Sequence, residues 1–388
     1  MLEHNGALGA HMSKIPCLLV VSLLGAAALA QPVAAQGVDR ALLEALPQGP
    51  SSWDKARLYA GAGVQFLSLP DINFTGIQGP SGLRRQENSD SDWLDVGGAA
   101  DFGFAQPLGW WGDYRVVGSI DGFFSNVEVD NTTRCDGSPT RFCVAIDPTG
   151  GIEITPQFTL GGQIPTLVTT TDRDTDYWGG QVEFKIGRPD SVQVKPDVYR
   201  NDYFLAGFDV RGIDQDNRLH GEASNQSLFK YDESLDVTYY GGYIGFGGEY
   251  SFGFIPGLKS VGGFYDRLGI RTYINATAGL YDAQTDYSGR FWSAPGTTNL
   301  SESENELAFI GTVSLEARKQ VGVRTSLSLF TDYEYISSVP QMRYADFGGT
   351  TRIEDDDIFA SRTTLRLNIG LGPDELYTER ERDHLLRY

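Results

Sequence analysis

Histidine and cysteine are nearly missing from this chain, with four and three residues in 388, and each scarcity removes a class of chemistry. Histidine is the side chain that most often moves protons near neutral pH, and it is the commonest nitrogen ligand of metals. Cys17 falls inside an N-terminal apolar run, so a metal centre would depend on Cys135 and Cys143, and no histidine lies near them. Beyond that run, residues 15–30, no stretch is apolar enough for long enough to cross a bilayer as a helix. Basic residues are outnumbered, 31 Lys and Arg against 51 Asp and Glu, and the net charge of −20 argues against nucleic acid or another polyanion as a partner.

The apolar run is preceded by Lys14 and followed by Val33, Ala34 and Ala35, small residues at the offsets signal peptidase requires. Residues 1–35 are therefore expected to be a secretory signal cut before Gln36. Met12 is a candidate start, since the eleven residues before it carry neither a positive region nor a structural pattern. Cys17 follows Lys-Ile-Pro and not a small-residue lipobox, which argues against a lipid anchor. In an exported chain one close cysteine pair, Cys135 and Cys143, points to a disulfide, and so short a ring contributes roughly 2.5 kcal/mol in the loop-entropy model. No metal site and no cofactor site is expected.

What the chain has in quantity is period-two alternation. Over residues 92–104, Leu94, Val96, Ala100, Phe102 and Phe104 share one face, and Asp95, Gly97, Ala99, Asp101 and Gly103 share the other. That spacing makes a strand with one greasy and one wet side. The pattern recurs at about 55–69, 114–129, 178–186, 198–213, 235–252, 268–287, 307–318, 324–338 and 362–371. The joints alternate between short segments, at 109–113, 189–197, 254–257 and 319–323, and long polar ones, at 71–91, 130–174, 214–234, 291–305 and around 354–357. An even count of about ten strands follows, with both ends on the side of the short turns; a further hairpin at 152–171 would make twelve. Residues 36–54 read as a periplasmic lead.

In signal, alternation and loop rhythm, the chain resembles the bacterial outer-membrane β-barrel proteins over residues 55–372. The resemblance implies an all-β fold, a transmembrane antiparallel up-and-down β-barrel with short periplasmic turns and long extracellular loops. It also implies a place in the bacterial outer membrane, contact with its lipid and lipopolysaccharide, and assembly by the barrel insertion machinery. Such barrels often finish on an aromatic residue, whereas here the last strand ends near Leu371 and a charged tail, 373–388, follows.

The wet face collects both signs of charge. Asp95, Asp101, Asp121, Glu183, Asp209, Glu249, Glu316, Asp332 and Glu334 are expected to line the lumen together with Lys185, Arg211, Arg267, Arg271, Arg318, Arg362 and Arg366. In so narrow a barrel opposite charges are expected to pair into a plug. The alternative is a narrow pore in which a basic strip, Arg267, Arg271, Arg362 and Arg366, faces an acidic one from Asp95, Asp101 and Asp121. The functional expectation is porin-like passage of small solutes or ions, and the alternative is a non-conducting adhesin or structural barrel that binds partners through its extracellular loops.

Enzymatic readings find little support. His220 stands alone in the barrel region, with Arg218 two residues before it and Glu222 two after, so neither an Asp-x-His nor a His-x-Ser pair exists. The carboxylates Asp172, Asp174, Asp176 and Glu183 have the spacing of an EF-hand loop, but Tyr177 occupies the position that needs glycine. The glycine-rich stretch 240–248 leads into no helix and lacks the third fingerprint glycine, which removes a nucleotide reading. The chain is not expected to be an enzyme.

Overall fold

The computed structural model describes residues 56–69, 72, 74–79, 82–86, 95–112, 114–136, 142–146, 153–154, 166–187, 192–195, 198–223, 226–250, 270–293, 296–322, 324–343 and 352–371. The expected signal, periplasmic lead and charged tail lie outside them. Fifteen strands are described: β1 (Ala56–Leu67), β2 (Thr75–Gly79), β3 (Gly82–Gln86), β4 (Asp95–Trp111), β5 (Tyr114–Cys135), β6 (Phe142–Ile146), β7 (Glu153–Ile154), β8 (Leu167–Gly187), β9 (Val192–Lys195), β10 (Val198–Ala223), β11 (Gln226–Tyr250), β12 (Ile270–Ser293), β13 (Gly296–Gln320), β14 (Thr325–Arg343) and β15 (Arg352–Leu371).

Ten of these form a closed ring in which every pairing is antiparallel. The order runs β1-β4-β5-β8-β10-β11-β12-β13-β14-β15, and β15 returns to β1 from Ala56↔Leu371 to Leu67↔Ala360. Closure leaves the spanning part of the sheet without an edge, which is what lets a sheet cross lipid. The outer surface carries an apolar belt: Phe204, Phe208 and Ile244 are 71, 75 and 72 % exposed. Facing water, each would forfeit about 2 kcal/mol, so the belt marks the lipid-facing wall of an outer-membrane barrel. Trp110, Trp111 and Tyr114 rim it at the short turn beside the chain ends, the periplasmic side. At the other rim the rings of Phe309, Tyr335 and Phe359 follow one another at 6.3 and 5.4 Å.

Inside, small residues make room for charged ones. A Cβ on Gly103 would lie 2.5 Å from the Tyr59 ring, so only glycine lets Tyr59 lie across the wall towards Asp121.

Several joints differ from the sequence expectation. Segments 214–234 and 291–305 are not polar loops but continuations of β10–β11, paired to Ala223↔Gln226 with one register shift between Gly221 and Glu222, and of β12–β13, in register to Ser293↔Gly296. Above the bilayer the outward face no longer needs to be greasy, so the contrast that betrays a strand disappears: Asp214, Asp216 and Arg218 point out, while Gln215 and Asn217 point in. The short turn expected at 254–257 lies outside the described residues, which stop at Tyr250 and resume at Ile270. Residues 167–171 belong to β8 itself and β7 to a separate small sheet, so the wall has ten strands and not twelve.

That small sheet, ordered β3-β2-β6-β7, is formed by two extracellular connections, and the Cys135–Cys143 disulfide ties β6 to the end of β5. Phe74, just before β2, is fully buried with its ring 5.2 Å from Phe229, 5.3 Å from Tyr231 and 6.0 Å from Phe291. These contacts join the cap to the inner face of the β10–β13 hairpins.

Candidate functional site

The inward positions build three layers along the axis. The innermost is ionic. Arg366 donates from Nε and Nη2 to Asp101 Oδ2 at 2.8 and 2.7 Å, and Thr364 donates to the same oxygen at 2.7 Å. The Arg366 guanidinium lies over the rings of Tyr59 and Phe330, with its carbon 4.5 and 3.3 Å from the two centroids. Arg362 pairs with Asp332 through side chain and backbone N–H, over the Phe123 ring. Arg211 bridges Asp209 and Glu334, the latter at 2.6 Å, and Tyr177 donates to Glu334 at 2.5 Å. Towards the periplasm, Arg318 holds Glu316 at 2.7 Å, Arg271 holds Glu249 at 2.9 Å, and Lys185 holds Glu183 at 3.2 Å.

Acid and base therefore interdigitate; they do not stand as two strips across an open channel. Asp95 is buried on the same inward face as Asp101, and Asp121 accepts from Tyr59 at 2.5 Å and Ser119 at 2.8 Å. Arg267 lies outside the described residues. A cavity of about 120 Å³ remains among these groups, room for several waters. Seven carboxylates line it, Asp101, Asp121, Glu183, Asp209, Glu316, Asp332 and Glu334, against five cations, Arg57, Lys185, Arg211, Arg362 and Arg366. Arg57 was not among the expected lumen residues, although its alternation with Leu58 would have placed it there. Tyr59, Tyr177 and Tyr243 were missed too, because a tyrosine on a wet face carries no charge signal.

The second layer is apolar. Leu67, Val127, Ile213, Val237, Tyr239, Ile336, Val339 and Ile358 belong to one cluster, and none is more than 1 % exposed. Part of it comes from an irregularity in β14. The register with β15 slips between Ile336 and Val339, Ser338 takes a φ of 57°, and both Ile336 and Val339 are delivered to the interior. Above the slip β14 leaves β13, with which it pairs only from Ile310↔Ile336 to Gln320↔Ser326, and keeps β15. Ile353 of β15 packs on Leu235 and Tyr287, so the β14–β15 hairpin leans across the lumen. The third layer is mixed. Asn217 accepts from Arg173 and donates to Glu233 at 2.9 Å, beneath the Phe74 cap.

His220 is on β10 at the hairpin tip, with Nε2 2.9 Å from Ser227 Oγ and 3.6 Å from Glu222. Hydroxyl and carboxylate meet the same ring nitrogen, so the acid cannot orient the imidazole towards the serine as a relay requires. The EF-hand-like carboxylates sit on the straight strand β8, with Asp172, Asp174 and Asp176 on the face opposite Glu183.

No family model matches the chain, and no curated protein does. Solved structures similar to it are other outer-membrane barrels. The outer membrane protease OmpT from Escherichia coli aligns at 8 % identity and a TM-score of 0.37, over 82 % of this chain and 98 % of its own. The translocator domain of the autotransporter NalP from Neisseria meningitidis aligns at 11 % and 0.31, over 93 % and 99 %. The toluene transporter TbuX from Ralstonia pickettii aligns at 9 % and 0.29, over 82 % and 90 %. At such scores the likeness carries no functional argument.

Proposed function

We propose that this outer-membrane barrel is closed to solutes at rest and acts at the cell surface through its long hairpins and their cap. The apolar layer supports this reading. Ions cross only where water can follow, and a close-packed plane of Ile213, Val237, Ile336, Val339 and their neighbours offers a hydrated ion little polar surface, the Tyr239 hydroxyl at this level being engaged with the Ser338 carbonyl. The paired charges beneath it speak for the same conclusion: a conducting lumen needs charges free to exchange partners with a solute, and here most are engaged with one another.

Gated passage is the second reading, favoured by the charge-lined cavity on the periplasmic side of the seal. On that reading the β14–β15 hairpin swings outward to open the path. Planar-bilayer recording of the refolded protein decides between them. Silence at all voltages, together with binding to cells that depends on the extracellular hairpins, is expected; stable unitary channel steps would overturn the closed-barrel reading.

A further inference from the structure

The departure of β14 from the wall leaves a mark on its neighbour. Strand β13 pairs with β12 along its whole length, from Ser293↔Gly296 to Ile270↔Lys319, but with β14 only from Ile310 onward. Among the described residues, 296–309 has no strand on its second side. The Phe309 N–H points to that side, where it donates to Ser337 Oγ at 2.8 Å. Backbone groups alternate in direction along a strand, and the β12–β13 register has no slip, so the N–H and C=O groups of Leu307, Asn305, Ser303 and Ser301 lie along the same open edge. Residues 301–307 are exposed on both faces. The edge rises from the lipid rim at Leu307 over roughly 35 Å.

Natural edges of this length are usually blunted by lysine, proline or a bulge. None of these occurs in 296–309. What the edge carries is acid. Glu302, Glu304 and Glu306 share one face, and the Glu306 carboxyl is held above its ordinary range by a hydrogen bond with the Asp355 carboxyl of β15, by burial and by the Asp355 charge. Two copies of such an edge would set like charges opposite each other, which disfavours self-pairing. A strand bearing lysine or arginine at alternate positions meets the same face with opposite charge.

Resting on the reading that the barrel acts at the cell surface, we propose that the free edge of β13 docks an extended, basic polypeptide strand of another protein by main-chain pairing. Main-chain hydrogen bonds supply affinity in this mode, and the three glutamates supply selectivity.

The test uses the full chain refolded in detergent micelles and two decapeptides, one alternating Lys and Thr, the other Glu and Thr. Calorimetry is expected to give one saturable site for the lysine peptide and none for the glutamate peptide, with slowed amide exchange at Ser301, Ser303 and Asn305. Ser303→Pro and Asn305→Pro, which remove donors on the open side only, are expected to weaken binding at least tenfold while heat-modifiable migration is retained. A lysine peptide N-methylated at alternate residues is expected to lose binding to the unmodified barrel, a readout that needs no variant to fold. Equal binding by the proline variants or by the N-methylated peptide would reduce the effect to charge attraction and overturn the proposal, as would no binding at all. Channel steps in the bilayer would overturn the closed-barrel reading and leave the edge result standing.

Discussion

The Tyr239 hydroxyl of β11 donates to the Ser338 carbonyl of β14 at 3.2 Å, although β12 and β13 stand between these strands in the wall. The bond spans the lumen at the point where β14 slips register, and it pins the in-leaning hairpin to the opposite side. Tyr239→Phe leaves that carbonyl without its donor and is expected to cost about 1 kcal/mol in urea unfolding of the refolded barrel. Ser338→Gly removes the penalty of a left-handed residue and is expected to stabilise by no more than about 1 kcal/mol.

Wetting the seal is a sharper test of what closes the lumen. Ile213 and Val237 face each other across the β10–β11 pairing and are wholly buried. The double variant Ile213→Ser, Val237→Ser is expected to produce channel activity where the parent protein is silent, at a cost of about 2–5 kcal/mol for the isoleucine alone. A folded double variant that stays silent in the bilayer would show that the cap around Phe74 seals independently.

The Asp101–Arg366 pair tests the ionic layer. Removing one partner strands a buried charge, so Arg366→Leu is expected to destabilise by about 3–5 kcal/mol, whereas the double replacement Asp101→Leu, Arg366→Leu recovers most of the loss. Arg366→Lys is expected to fall well short of the parent, since an ammonium can reproduce neither the two-nitrogen contact with Asp101 nor the stacking on Tyr59 and Phe330. Two-state unfolding of the parent, Asp101→Leu, Arg366→Leu and the double variant gives the coupling energy directly.

Above the membrane, carboxylates crowd one another. Glu306 is raised by its hydrogen bond with Asp355, and Asp236 is raised by partial burial and by the charges of Asp214 and Asp216. A raised carboxyl binds protons more readily in the folded than in the unfolded chain, so its contribution is present at acid pH and is lost as pH rises through the folded value. The surface hairpins are therefore expected to tighten as pH falls towards the ordinary carboxylate range, seen as slower amide exchange in β13 and β15. Glu306→Gln keeps a donor for Asp355 and is expected to flatten that dependence; an unchanged profile in the variant would remove Glu306 as its source.

The spanning strands were legible because lipid enforces a contrast. Val96 and Phe102 against Asp101 and Gly103, or Leu365 and Leu367 against Arg366 and Asn368, can be read residue by residue. Where water lies outside, polar residues serve both faces, and the hairpins built from 214–234 and 291–305 looked like loops. Twelve strands stayed open in the sequence because Ile152 to Thr171 alternates well enough; of its described residues, 153–154 join the small sheet and 167–171 belong to β8. The lumen residues followed from parity, yet parity says only that Arg211 points inward. That it meets Asp209 on its own strand and Glu334 on β14 depends on the closure of the ring.

Alternation of greasy and wet residues, a property of the chain alone, determined that strands form, that about ten of them span a membrane and that charged side chains fill the interior. How those side chains meet inside the ring was a matter for the tertiary structure. Ile336 and Val339 are ordinary apolar residues until a register slip in β14 turns both to the level of the lumen that Tyr239 of β11 occupies, and above that slip, among the described residues, β13 has no strand on its second side. The apolar layer and, among the described residues, the unpaired edge both arise from how strands far apart in sequence are set against each other, and no local pattern carries that relation.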